Sequence, residues 1–153
     1  MRRKDRARNE PEFFGKVLGR AETMFLALFD GEYPYCLPVN FAVSGSRIYI
    51  HSALAGHKLE LIAANPHVAF SAATDIKIDT ANSTTYYKSV CGRGIAVVVQ
   101  DQAEKARALD LIGERYDALC QRPAPAAATR RVAIIRIEIT EMTGKECKPG
   151  EGE

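Results

Sequence analysis

Apolar residues recur along this chain at two spacings, one typical of strands and one typical of helices. The alternation is clearest at residues 131–140, where every second residue is apolar and a strand with one buried face is predicted. Shorter apolar runs end at turn residues such as Asp30-Gly31, which favour a hairpin. The pattern predicts strands at residues 23–29, 33–43, 47–51, 68–73, 85–100 and 131–140.

Helical spacing occurs in three segments between these strands. Pro11 suits the first turn of a helix at residues 10–21, and residues 56–64 predict a short helix. The strongest helix covers residues 101–119, with Asp101 as its N-cap and Glu104 as a capping-box partner. Residues 75–84 are polar and ambiguous, and residues 121–129, rich in Pro and Ala, are predicted to form a loop.

Prolines and glycines mark the places where predicted strands depart from regular pairing. Pro34 and Pro38 fall inside the strand predicted at 33–43, so parts of it are expected at a sheet edge or beside a ligand. Gly92 and Gly94 predict a bulge or a sharp bend of the kind that a small barrel needs. Sequential hairpins with inserted helices therefore indicate a mainly β fold with some α, built as an antiparallel barrel.

Length and charge limit the domain organisation and the partners. The 153 residues, 46% of them hydrophobic, suit one packed domain, which we place at residues 10–147. A net charge of +2 gives no reason to expect a nucleic-acid partner. Residues 1–9 form a basic N-terminal arm that is expected to be solvated, or to bring one or two cations to a phosphate. Residues 148–153 are expected to form a disordered tail.

The compartment follows from the absence of targeting signals and from cysteine usage. No stretch reaches the ~20 apolar residues of a membrane span, and the first residues lack the apolar core of a signal peptide, so we expect a cytoplasmic protein without membrane contact. The four cysteines contain no C-x-x-C pair and are expected to be free thiols. They are Cys36, Cys91, Cys120 and Cys147.

Several common site motifs are missing from the sequence. There is no glycine-rich dinucleotide loop, no P-loop and no nucleophile elbow. His51, His57 and His67 lie without acidic or cysteine ligands at a recognised spacing, so no metal site is expected. A haem, which needs only one axial histidine, stays open as a less favoured alternative.

The segment from Tyr49 to Lys58 contains the strongest local signal for a ligand. A strand ends in the polar pair His51-Ser52, and a turn of small residues leads into a helix whose first turn carries Lys58. The Ser52 hydroxyl, the backbone amides before the helix and the lysine could together bind a phosphate. A plain strand-turn-helix with a solvated lysine is the competing interpretation.

Five short motifs in order resemble those of one known family. They are MRRKD at residues 1–5, PYCLPVNF at 34–41, YIHSA at 49–53 with Gly56 and Lys58, YKSVCGRG at 87–94 and MTGK at 142–145. The chain resembles the flavin-nucleotide-binding proteins related to pyridoxamine 5′-phosphate oxidase, and within them the nitroimidazole-resistance (Nim-type) branch. The similarity covers nearly the whole chain.

This resemblance implies an FMN-binding split β-barrel with two or three flanking helices. It further implies a homodimer that holds FMN, or FAD, at the subunit interface. Carried over to this sequence, residues 37–40 would lie along the isoalloxazine ring, His51 and Ser52 near the flavin and its phosphate, and Lys58 on the phosphate. The strand with Tyr87 and Ser89 would add polar contacts. The residues along the ring are Leu37, Pro38, Val39 and Asn40.

The activity that the resemblance implies is flavin-dependent reduction of small molecules such as nitroaromatics. The oxidase itself carries Trp-Gln-Gly near its end, whereas this chain has no Trp and has Met142-Thr143-Gly144 there, which argues against vitamin B6 oxidation. His51 would be the catalytic residue, a proton donor beside the reducible ring. A non-catalytic flavin-storage or flavin-sensing protein and a haem-binding relative on the same barrel are the alternatives.

Overall fold

A computed structural model describes residues 4–116, 123 and 126–149 of the chain. Its seven strands are β1 (Met24–Phe29), β2 (Pro34–Val39), β3 (Ala42–Ser44), β4 (Arg47–Ser52), β5 (His67–Asp79), β6 (Thr84–Val98) and β7 (Ala133–Cys147). Its helices are α1 (Pro11–Arg20), α2 (His57–Ala64), α3 (Gln102–Tyr116) and the single turn α4 (Ala126–Thr129), after a 3-10 turn at Lys4–Arg6. The predicted mainly β class with flanking helices is confirmed.

All seven strands form one antiparallel sheet in the order β2-β1-β5-β6-β7-β4-β3. The two edge strands, β2 and β3, are consecutive in sequence and are joined only by Asn40 and Phe41. Three consecutive Cα–Cα steps span at most about 11 Å. The sheet must therefore curl until its edges almost meet, although no ladder closes them. This open curl is the split barrel that the sequence predicts.

The inside of the curled sheet is the main hydrophobic core. Every second residue of each strand points into this core, because side chains alternate between the two faces of a strand. Helices α1 and α2 add Val17, Leu18, Leu61 and Ile62 to the same core. The fully buried centre consists of large apolar side chains: Met24, Leu26, Phe41, Ile48, Ile50, Val90, Ile135 and Ile137.

The outer side of the sheet is covered only over part of its width. Helix α3 packs on β4 and β7, where Tyr49, Leu109 and Ile134 form a second core. Asp101 caps this helix by accepting a hydrogen bond from the amide of Glu104 at 2.6 Å. The Glu104 carboxylate accepts hydrogen bonds from the Tyr49 hydroxyl and from Arg136, each at 2.9 Å, so it fixes the helix to the sheet.

The strand boundaries differ from the prediction where a strand is interrupted or polar. The predicted strand at 33–43 is two strands, because Asn40 and Phe41 cross from one sheet edge to the other. The ambiguous residues 75–84 belong to β5, a tight turn and β6, with a bulge between Thr74 and Lys77. Polar side chains at 75–84 hid this hairpin, since much of it faces solvent. Residues 126–129, predicted as loop, form α4.

The part of the N-terminal arm that the structure describes is anchored to β7. The backbone of Ala7 bridges to Lys145, and the amide of Arg8 donates to the carbonyl of Gly144 at 3.0 Å. The Arg8 guanidinium pairs with Glu146 at 3.2 Å. Arg8 is thus part of the folded domain, whereas residues 1–3 are not among the described residues.

Of the tail predicted at residues 148–153, the structure describes only residues 148 and 149.

Two smaller findings concern the cysteines and the membrane. Cys36 and Cys91 stand exposed on the outer face of the sheet, Cys147 is buried, and all three are free; Cys120 lies outside the described residues. Among the helices of the described chain, none has the length and apolar character that a membrane crossing requires.

The predicted irregularity near Gly92 and Gly94 is confirmed as a register shift between Arg93 and Gly94. A Cβ atom on Gly94 would lie 2.5 Å from the carbonyl oxygen of Glu138 and 2.6 Å from a methyl of Ile137. The backbone of β7 cannot yield at this point without breaking its ladder. Glycine here is required by close approach, and the bulge lets β6 bend around the barrel.

We expect Gly94→Ala to lower the free energy of unfolding by about 1–3 kcal/mol, because the methyl group overpacks a backbone contact. Gly19→Ala is the matched control, since a Cβ atom there meets nothing within 4 Å and the residue lies in α1. The control should be neutral or stabilising by up to about 1 kcal/mol. Urea denaturation of both variants measures the difference; equal effects would contradict the close-approach explanation.

Candidate functional site

The end of β4 and the start of α2 bring the polar residues of the segment 49–58 together. His51 and Ser52 are the last residues of β4, paired with Ile134 and Ala133 of β7. Gly56 turns the chain into α2 with φ 142°, a conformation that side chains other than glycine rarely adopt. This turn places Lys58 in the first turn of the helix, beside His51.

His51 is held in an environment that disfavours its charged form. The side chain is half-buried, and burial lowers the pKa of its imidazole, with the positive charge of Lys58 as the second cause. Its Nδ1 atom is buried and has no hydrogen-bond partner among the described residues. A buried polar atom without a partner costs free energy. The ring is therefore suited to a hydrogen bond with a ligand.

Lys58 is half-buried as well, and burial lowers the pKa of its amine. No carboxylate in the described part of the chain pairs with it. The amides of Leu59 and Glu60 both donate to the carbonyl of Gly56. The amides of His57 and Lys58, at the start of α2, have no carbonyl of the same helix to bind. A cation, free amides and an imidazole without a counter-ion fit a phosphate with an attached polar group.

The segment Leu37–Asn40 can face a ligand mainly with its backbone. The side chain of Val39 is buried and that of Leu37 packs against the core, so these two residues could contact a ligand only through their backbones. Pro38 is exposed on the outer face, opposite Phe25 of β1. Because β2 is an edge strand, one side of its backbone stays free of the ladder.

The link after β2 is held by two residues of α3 that the sequence analysis did not single out. The Tyr116 hydroxyl accepts a hydrogen bond from the Phe41 amide at 3.0 Å and donates to the Glu22 carbonyl at 2.8 Å. The Arg115 guanidinium lies 4.3 Å from the centre of the Phe41 ring and donates to the carbonyls of Leu18 and Ala21. These contacts fix Asn40, which lines a cavity of about 430 Å³ with Arg115 and Tyr116.

Tyr87 and Ser89 lie far from His51 along the strand that pairs with both regions. Ser89 pairs with Lys145 near the end of β7, whereas His51 pairs with Ile134 near its start. Eleven residues of strand separate these two positions, about 36 Å along β7. The structure therefore brings His51, Ser52 and Lys58 together and does not bring Tyr87 and Ser89 to them within one protomer.

Metal ligands are not clustered at this site. Within residues 4–116, 123 and 126–149, no group of three or more His, Cys, Asp or Glu side chains could hold a metal ion. His57 instead contacts the Tyr35 ring edge-on at 5.2 Å between ring centres, and His67 lies beside Asn65. These two histidines belong to local contacts at either end of α2.

The pyridoxamine 5′-phosphate oxidase family model matches residues 14–146, nearly the whole described domain. The chain belongs to this family. This match confirms the predicted resemblance at the level of the family. No curated protein matches the sequence closely enough to add to this assignment.

Solved structures share the fold over almost the whole chain. One is a proposed 5-nitroimidazole antibiotic resistance protein from Bacteroides thetaiotaomicron, 26% identical with a TM-score of 0.80, covering 91% of this chain and 85% of that one. A FAD-binding protein from Mesorhizobium loti is 24% identical, with a TM-score of 0.71 and coverages of 94% and 98%. A FAD- and haem-binding protein from Mycobacterium smegmatis is 18% identical, with a TM-score of 0.81 and coverages of 97% and 76%.

We expect the ligand-free protein to lose stability as the pH falls through the region below 6.5, the ordinary pKa of histidine. The pKa of His51 is lowered in the folded state, so the unfolded state takes up the proton first and is favoured at lower pH. Urea unfolding at pH 7.5 and 5.5 measures the loss. His51→Gln should reduce this pH dependence relative to the wild type. Identical slopes for wild type and His51→Gln would contradict the assignment.

Proposed function

We propose that this protein binds a flavin nucleotide, with FMN as the preferred form, and uses it to reduce small molecules such as nitroaromatics. The observation that carries the proposal is the pair His51 and Lys58, two half-buried basic groups without a carboxylate, one of them with an orphaned buried nitrogen. In a chain of the pyridoxamine 5′-phosphate oxidase family, a flavin phosphate is the anion that best fits this pair.

Each part of the site would have a distinct task. Lys58 and the first amides of α2 would hold the phosphate, and Ser52 would add a hydroxyl donor. The backbone of Leu37–Asn40 would face the ring, because β2 is an edge strand and one side of it is outside the ladder. The flavin itself supplies the electron-transfer chemistry when bound, and the protein supplies orientation and charge.

His51 would donate a proton only when the phosphate is in place. Without a ligand, burial and the Lys58 charge keep the pKa of His51 below its ordinary value, so the ring is neutral at pH 7. A bound phosphate would offset the Lys58 charge and raise the pKa of His51 again. This coupling favours a proton donor that becomes active after cofactor binding.

A homodimer with the flavin between its subunits accounts for Tyr87 and Ser89. Both belong to the half of the outer sheet face that α3 leaves bare, where Phe25 is 53% and Ile78 74% exposed. A cavity of about 340 Å³ lies on the same face, beside Phe25 and Cys91. A second copy seated there would cover these apolar side chains and bring its Tyr87 and Ser89 to the first copy's site.

The nitroaromatic substrate class is the finer part of the proposal. It is supported by the similarity to the proposed 5-nitroimidazole resistance protein and by the lack of Trp, a residue of the vitamin B6 oxidase. A flavin-storage protein and a haem protein on the same barrel are the two alternatives that the sequence left open. The cytoplasmic location stays a prediction of the sequence.

We expect Lys58→Gln to weaken FMN binding by about 10- to 100-fold, the loss of one charge-assisted phosphate contact. The same change should raise the melting temperature of the ligand-free protein, because the folded state no longer buries a charged amine. Fluorescence titration with FMN and FAD, and thermal unfolding without flavin, measure the two effects. The exposed control Lys16→Gln should alter neither. Unchanged FMN affinity would remove Lys58 from the site.

We expect bound flavin to lose its absorption near ~450 nm when NADH or NADPH is added without oxygen, and to recover it on addition of a nitroimidazole. His51→Gln should keep the flavin but slow this recovery, since the amide cannot deliver a proton. Flavin that no physiological donor bleaches would favour the storage function. A Soret band in the purified protein would favour the haem alternative.

A further inference from the structure

We propose that Arg115 and Tyr116 are positioning residues for the flavin ring. They act through Asn40, the last residue of the ring-facing segment Leu37–Asn40, and do not themselves touch the flavin. The ligand group concerned is the polar edge of the isoalloxazine ring, which carries both hydrogen-bond donors and acceptors. The inference rests on the proposed function and adds to it two residues of α3.

Asn40 is the residue of this segment that lies outside the strand ladders. The ladder between β1 and β2 ends where Val39 pairs with Met24, and the ladder between β3 and β4 begins at Ala42. The side-chain amide of Asn40 is half-buried, and within the described part of the chain it has no hydrogen-bond partner. An amide offers two donors and an acceptor, so it suits the polar edge of a flavin ring.

Tyr116 attaches the residue after Asn40 to the link between α1 and β1. Its hydroxyl accepts hydrogen bonds from the Phe41 amide at 3.0 Å and from Nε of Arg115 at 3.1 Å. The same hydroxyl donates its proton to the Glu22 carbonyl at 2.8 Å. Because protein groups already use the proton and the acceptor sites of this hydroxyl, Tyr116 acts on the backbone and not on a ligand.

Arg115 holds the same link through the side chain of Phe41. Its guanidinium lies 4.3 Å from the centre of the Phe41 ring, which is fully buried. One guanidinium nitrogen donates to the carbonyls of Leu18 and Ala21 at the C-terminal end of α1. A helix leaves its last carbonyls without partners, and a cation is favourable there. Arg115 therefore ties Phe41 to α1 with charge-assisted hydrogen bonds.

These contacts hold the backbone beside Asn40 while its side chain faces open space. Asn40 lines the cavity of about 430 Å³ together with Arg115, Tyr116 and residues 19–23. The amide thus has room for a ligand atom within hydrogen-bond distance. A polar group that is fixed before binding loses less conformational freedom when the ligand arrives, so its contact contributes more to affinity.

We expect Tyr116→Phe to weaken the binding of both FMN and riboflavin by about 3- to 10-fold, because the ligand then has to order Asn40. Inorganic phosphate, measured as a competitor of FMN, should keep its affinity, since it reports on Lys58 and the start of α2. Tyr33→Phe, at an exposed tyrosine, is the control and should change none of the three affinities. Unchanged riboflavin affinity of Tyr116→Phe, or an equal loss of phosphate affinity, would overturn the inference.

A double-mutant cycle tests whether Tyr116 acts through Asn40. Asn40→Ala alone should lower FMN affinity, and adding Tyr116→Phe should lower it no further than about 2-fold, because the group to be positioned is already absent. Losses that multiply would mean that Tyr116 only supports the fold, and they would contradict the inference. If Tyr116→Phe does not fold, Arg115→Lys replaces it in the cycle, since lysine keeps a charge beside the Phe41 ring.

The same titrations separate this inference from the proposed function. A wild-type protein that binds neither FMN nor FAD would overturn the proposed function itself. Wild-type binding of flavin, combined with multiplying losses in the cycle, would overturn only the role of Arg115 and Tyr116.

Discussion

A link of two residues constrains the whole architecture. Because Asn40 and Phe41 must carry the chain from one edge of a seven-stranded sheet to the other, the sheet has to curl into an almost closed barrel. Arg115 and Tyr116 hold the link in place through the Phe41 ring and amide and tie it to the end of α1. The bulge at Gly94 lets β6 bend within this curl.

The uneven cover of the sheet decides where a ligand can bind. Helix α3 closes the outer face over β4 and β7, and the polar residues at the end of β4 are partly buried. The rest of that face stays bare, with exposed apolar side chains such as Phe25 and Ile78 and with Tyr87 and Ser89 at its far end. The proposed homodimer would join Tyr87 and Ser89 of one copy to the residues at the end of β4 of the other.

Local patterns predicted most elements because they are local in origin. The alternation at 131–140, the Asp101 cap and the glycine-marked bulge all depend on residues close in sequence. Residues 75–84 stayed ambiguous because this hairpin is largely solvent-exposed, so no buried face imposes an apolar alternation on its sequence. Arg115 and Tyr116 could not be found from the sequence, since their partners lie 75 to 97 residues away. The segment Tyr49–Lys58 was found because strand end, turn and helix start are contiguous.

The Lys58 amine without a carboxylate and the His51 nitrogen without a hydrogen-bond partner have a consequence for the amount of this protein in the cell. Both cost the ligand-free fold free energy, and a bound anionic cofactor would relieve both at once. Empty copies would then unfold more often and be degraded sooner than loaded ones. If the cofactor is a flavin, the steady-state amount of this protein would follow the riboflavin status of the cell, without any dedicated regulator.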